Sequence, residues 1–264
     1  MLDWLYRAPS GVLVAGLVAA GILALELGAR AGLGRAPRAA DAVRSQVTTL
    51  SGSLIALLGL VLGFTLSVSL QRHAELGSVL VAEANAMATA HLRADVLAPP
   101  LRERARDTLA RYVDHRVASA RTPLVDHAER ALEAHETAHL HERLWSLVRE
   151  AQALDPNAST SGLFMVSVNE LMAACRTREA ALERRVPAGL FVLVFVAFVF
   201  SSAFVGYASG VGGVRPSAVA YAQCLLVGAL FFVIVELDRP RRGTFRVHHE
   251  SLEEVRASLR APRG

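Results

Sequence analysis

The run His135-Glu136-Thr137-Ala138-His139 matches the HExxH pattern of zinc hydrolases. Four-residue spacing on a helix sets both imidazoles on one side, where they could hold Zn²⁺ while the glutamate activates a metal-bound water. His141 follows, and Glu150 or Glu170 would serve as a third ligand. The surroundings favour a plainer reading. Between His127 and His141 the histidines alternate with Glu and Arg, the composition of a solvated helix face, and the motif lies outside every apolar run. The expectation is therefore no enzyme activity, no metal and no cofactor, with His135, Glu136 and His139 as a remote zinc-hydrolase alternative.

Composition removes further chemistry. All 28 cationic side chains are arginine, so a lysine Schiff base, a pyridoxal anchor and a phosphate-loop lysine are excluded. Two cysteines, Cys175 and Cys224, are too few for a disulfide framework or a multi-cysteine metal site. The pI near 9.7 comes with a net charge of only +4, and the arginines gather at the ends of apolar runs. Membrane topology explains that distribution, and a nucleic-acid partner is not expected.

The elements that carry these residues follow from hydropathy. The chain is 53% hydrophobic, with a mean hydropathy of +0.36, which is too apolar for an ordinary soluble domain. Four runs, about 11–29, 50–70, 188–208 and 217–236, each approach the ~20 residues that cross ~30 Å of hydrocarbon. Backbone groups in lipid must bond internally, so these runs are helices. The first follows Arg7 as a secretory signal would. It is longer than a signal core and lacks a small-x-small cleavage site, so it reads as a retained span.

Between the second and third spans the sequence is rich in Ala, Leu, Glu and Arg and punctuated by proline, which predicts helices over 72–97, 101–121, 124–154 and 159–186. The last carries Phe164, Val168, Leu171, Cys175 and Leu182 on one stripe. The second and third spans are expected to project as long helices, and the 243–264 tail to hold a short helical pattern at best. The fold class is thus all-α and integral to the membrane, with four transmembrane helices and a cytoplasmic helical bundle inserted between the second and third. The domains are a first transmembrane pair (1–71), the cytoplasmic helical domain (72–187), a second transmembrane pair (188–237) and an Arg-rich cytoplasmic tail (238–264). One side of the membrane receives Arg7, Arg72, Arg176, Arg178, Arg184, Arg185, Arg239, Arg241, Arg242 and Arg246. The other receives Arg30, Arg35, Arg38, Arg44 and Arg215. The positive-inside rule then places both termini in the cytoplasm.

The second span has its own pattern. Gly52, Ala56, Gly59, Gly63 and Ser67 recur at spacings of three and four, and such a stripe allows close backbone approach in lipid. On composition it reads first as a packing face within the subunit. Gly28 with Gly32, and Gly206 with Gly210, repeat the small-residue spacing in the first and third spans. Thr65, Ser67, Ser69 and Gln71 add polarity, which in a span faces the bundle interior or a water-filled path. Glu26 and Glu236 lie near enough to the interface to reach water by snorkelling.

Val61-Leu62-Gly63-Phe64, followed by Arg72, Glu75 and Asn85, resembles the second span of the bestrophins. Asp238-Arg239-Pro240 with Gly243, just past the last span, is similar to an acidic-x-Pro-x-Gly element of the bacterial bestrophin-like domain family. The resemblance implies a multi-pass protein of the bacterial inner membrane, surrounded by lipid, that forms a homo-oligomer, a pentamer, and conducts an inorganic ion. It implies that Phe64 is a neck residue on the second span, with Leu60 and Ala56 stacked above it as pore lining. Gly52, Gly59, Gly63 and Ser67 are then helix-packing positions. The chain departs from bestrophins in the small Ala56, in His73 and Ala74 where tryptophans follow the arginine, and in lacking an acidic calcium cluster in its tail. A non-conducting membrane scaffold or sensor is the alternative function.

Overall fold

The computed structural model describes residues 9–36, 41–119, 127–184, 186–238 and 250–260. Their regular elements are all helices: α1 (Ser10–Leu33), α2 (Asp41–Ala94), α3 (Leu101–Ser119), α4 (His127–Leu154), α5 (Ser161–Glu183), α6 (Ala188–Val211), α7 (Ala218–Leu237) and α8 (Glu250–Arg260). Among the described residues, four helical stretches are long and apolar enough to cross a membrane, as the hydropathy runs require. At 54 residues, α2 is one unbroken helix, about 80 Å long at 1.5 Å per residue. It begins well before its apolar run because no Gly or Pro separates Asp41 from Leu50, and an acidic residue in the first turn suits the helix N-terminus. Proline sets the later boundaries. Ala94 ends α2 ahead of Pro99 and Pro100, Ser119 ends α3 ahead of Pro123, and Leu154 ends α4 ahead of Pro156.

The third span does not continue upstream as a single projecting helix. Helix α5 stops at Glu183, Arg184 turns extended at φ −65° and ψ 129°, and Pro187 caps the start of α6. The pyrrolidine ring lacks an N–H and disfavours helix before it, so the chain breaks there.

The chain divides into two compact units. The first holds α1, α2 as far as Gln71, α6 and α7. In it α1 lies along α6 with their backbones nearly touching. A Cβ added at Gly28 or Gly32 would land on the backbone of Ala203 or Tyr207, and one at Gly206 or Gly210 on the carbonyls of Leu25 or Ala29. Only glycine permits that approach. Leu17, Leu25, Leu58, Leu62, Val194, Phe198 and Ile234 form the core, with Phe191 edge-on to Phe231 at 5.9 Å. Helix α2 joins through two serines: Ser201 donates to the Leu54 carbonyl at 3.2 Å, and Ser51 to the Phe204 carbonyl at 3.3 Å.

The second unit holds α2 from Arg72 onward, α3, α4, α5 and α8. Its core includes Leu80, Met87, Leu109, Tyr112, Leu144, Phe164, Val168 and Leu171. Helix α8 is the short helix of the tail, and it docks on the unit rather than standing free. Leu252, Val255 and Leu259 line one face of it and pack on this core. Arg256 Nε and Arg260 NH2 donate to the two oxygens of Asp114 at 2.8 and 2.7 Å.

Candidate functional site

Along its membrane segment α2 has one closed side and one open side. Ser51, Leu58, Leu62, Thr65 and Ser69 are buried, at the three-to-four spacing of one helix face. Thr65 Oγ1 donates back to the Val61 carbonyl at 2.7 Å and Ser69 Oγ to the Thr65 carbonyl at 3.0 Å, so both hydroxyls are satisfied by the helix itself. The opposite side carries Ala56, Leu60 and Phe64, all exposed, with Leu60 at 71% and Phe64 at 59%. Ser67 and Gln71 continue that open side, followed by Ser78 and Asn85 at intervals of seven, which is two helical turns.

The small-residue stripe is next to this open side. A Cβ added at Gly52, Gly59 or Gly63 would meet nothing within 4 Å, and Ser67 is exposed. Among the described residues, no other helix covers these positions, so the packing face expected within the subunit is not formed by the described helices. Polarity in the span also divides, with Thr65 and Ser69 facing inward and Ser67 and Gln71 outward. Glu236 is buried rather than snorkelling to water. Glu26 is half-buried and accepts a hydrogen bond from the Tyr221 hydroxyl of α7.

The HExxH residues are on the outer face of α4. His135, Glu136 and His139 are exposed, while Thr137 and Leu140 of the same turns face inward. Thr137 Oγ1 donates to the Glu133 carbonyl at 2.8 Å and lies 2.9 Å from His115 Nε2. Among the described residues, no three His, Cys, Asp or Glu side chains come together as a metal site.

One ionic cluster was not legible in the sequence. Glu83 of α2 is fully buried and accepts from Arg116 Nε of α3 at 2.8 Å and from Arg178 NH1 of α5 at 2.6 Å. Arg116 NH1 also reaches Glu179 at 3.3 Å. Burial costs a charge several kcal/mol unless it is paired with good geometry, so removing one member leaves the others exposed to that penalty. Polar neighbours feel the same interior. Burial pushes the Tyr112 hydroxyl well above its ordinary value and the Cys175 thiol up to about 11. Burial, aided by the Arg116 charge, lowers His141, which shares a 3.2 Å hydrogen bond with Tyr112. These groups lie far apart in sequence, and no local motif marks them.

The motif residues have separate settings. Arg72 is half-buried and Asn85 exposed. Glu75 accepts from Arg184 NH1 at 3.0 Å. Asp238, at the end of α7, is buried and accepts the Val186 backbone N–H at 3.1 Å, tying the exit of the last span to the start of the third. Arg239, Pro240 and Gly243 lie outside the described residues.

The chain matches the family model described as the Bestrophin-like domain over residues 16–252. No curated protein matches it. It resembles the crystal structure of a bacterial bestrophin homologue from Klebsiella pneumoniae, solved as a point mutant. The TM-score is 0.62 and the identity 15%, over 92% of this chain and 97% of that one. At that identity the likeness is one of fold.

Proposed function

Because the chain belongs to the bestrophin-like family, we propose that it is an integral protein of a bacterial inner membrane that assembles as a homo-oligomer, with α2 lining an ion path. Both termini and the second unit lie in the cytoplasm, on the side favoured by the arginine distribution. Phe64 and Leu60 form a hydrophobic neck that gates by dewetting, with the smaller Ala56 widening the path above them. Gly52, Gly59, Gly63 and Ser67 meet the neighbouring copy, where close packing rather than hydrophobic exclusion drives association in lipid. By analogy with the bestrophins the assembly is a pentamer.

The observation that carries this reading is the open side of α2. Lipid would accept exposed Leu60 and Phe64, yet the same side continues as Ser67 and Gln71, and polar groups in a span face a bundle interior or water. An axial water path accommodates both. The test combines the mass of the purified protein in detergent with ion flux from reconstituted liposomes. The expected result is an oligomer that conducts, with flux changed severalfold by Phe64→Ala. A monomer, or a folded oligomer with no flux, overturns the pore and favours a membrane scaffold or sensor.

A further inference from the structure

Glu75 follows Phe64 by eleven residues on one unbroken helix. That interval is about 20° past three full turns, with a rise of about 16 Å. Glu75 therefore shares the side of α2 that carries Phe64. Its neighbours on that side, Ser67, Gln71, Ser78 and Asn85, are exposed and uncharged. Among the described residues of α2 from Gln46 to Ala94, Glu75 is the one ionisable side chain that is exposed. Arg72, His73 and Arg93 are half-buried, and Glu83 and His91 are buried. Arg184, just past the end of α5, places its NH1 3.0 Å from Glu75 Oε1. Both side chains remain in water, at 45% and 69% exposure.

We propose that the Glu75–Arg184 pair sets the charge selectivity of the ion path by cancelling the one exposed fixed charge on this side of α2. The inference rests on the reading of α2 as the pore helix. A ring of carboxylates at a pore mouth favours cations, and a ring of guanidinium groups favours anions. Each copy of the chain contributes one pair at the same level, so the paired state is neutral around the whole ring. Uncovering either partner exposes a full ring of one sign. Because an exposed ion pair contributes little to stability, either member can be neutralised without unfolding the protein.

The experiment measures reversal potentials of the full-length protein in planar bilayers under a KCl gradient, which report the K⁺ over Cl⁻ permeability ratio. Arg184→Gln is expected to raise that ratio roughly threefold and Glu75→Gln to lower it by a similar factor, as Coulomb interaction across a few ångströms of water allows. The double variant returns to the wild-type ratio. Both shifts shrink as KCl rises from 0.15 M to 1 M, where the screening length falls from about 8 Å to about 3 Å. A conducting wild type whose ratio neither single substitution moves overturns this inference and leaves the pore reading standing. A folded wild-type oligomer without conductance overturns the pore reading and this inference with it.

Discussion

The glycines of α1 and α6 and those of α2 share the same small-residue spacing, yet their environments are opposite. Gly28, Gly32, Gly206 and Gly210 sit where two backbones nearly touch, and any Cβ there would strike the facing chain. Gly52, Gly59 and Gly63 face open space. A small-residue motif marks a surface that can be approached closely, and it carries no information on whether the approaching helix belongs to the same chain. The acidic residues of α2 repeat the contrast. Glu83 is sealed between two arginines inside the second unit, whereas Glu75 pairs with one arginine in water.

The largest expected effect comes from filling the closed seam. Gly206→Leu places a side chain on the Leu25 carbonyl, and the two helices must part. The cost exceeds the ~1–3 kcal/mol of ordinary overpacking, and little folded protein is expected in a detergent-stability assay. Gly59→Leu sharpens the comparison because a Cβ at that position meets no described atom of a neighbouring element within 4 Å. Helicity measured by circular dichroism is expected to be unchanged, while the proposed oligomer is expected to dissociate. If both substitutions left the oligomer intact and the fold stable, the distinction between closed and open glycines would be broken.

The next effect is in the buried ionic cluster. Glu83→Gln leaves Arg116 and Arg178 without their shared carboxylate, a loss of about 3–5 kcal/mol by the usual cost of breaking a buried pair. Thermal unfolding should register it as a large downward shift, against little change for Glu75→Gln in water. Equal shifts for the two would show that burial does not separate them.

The smallest effect is the response to pH. Burial and Arg116 lower His141 below its ordinary 6.5, so the unfolded chain takes up a proton before the folded one does. This residue's contribution to stability is therefore complete above pH 6.5 and is lost as pH falls toward the depressed folded value. His141→Gln should flatten the decline in melting temperature between pH 7.5 and 5.5. A decline as steep as that of the wild type would assign it to other groups.

Much of the fold was readable from local pattern. Apolar runs of membrane length and the prolines at 99, 100, 123, 156 and 187 placed the helices, because a helix interior and its breaker act over neighbouring residues. Single residues limited that reading. The apolar positions Leu252, Val255 and Leu259 of α8 are interleaved with Arg and Glu, so the sequence suggests a short helix without showing that it docks on the core. Proximity to a span end suggests an interfacial Glu236 but says nothing of what packs over it, and the residue is buried.

The sequence by itself determined that the chain is built of helices, with four membrane-length apolar runs and a second span of bestrophin-like pattern. Those properties depend on hydropathy and backbone preference over a few turns. Tertiary structure alone decided that Glu83 is sealed by Arg116 and Arg178, that the glycines of α1 and α6 close on each other, and that Ala56, Leu60 and Phe64 remain open. Each of these depends on which residues, distant along the chain, fill the space beside a given helix face, and a one-dimensional pattern does not contain that volume.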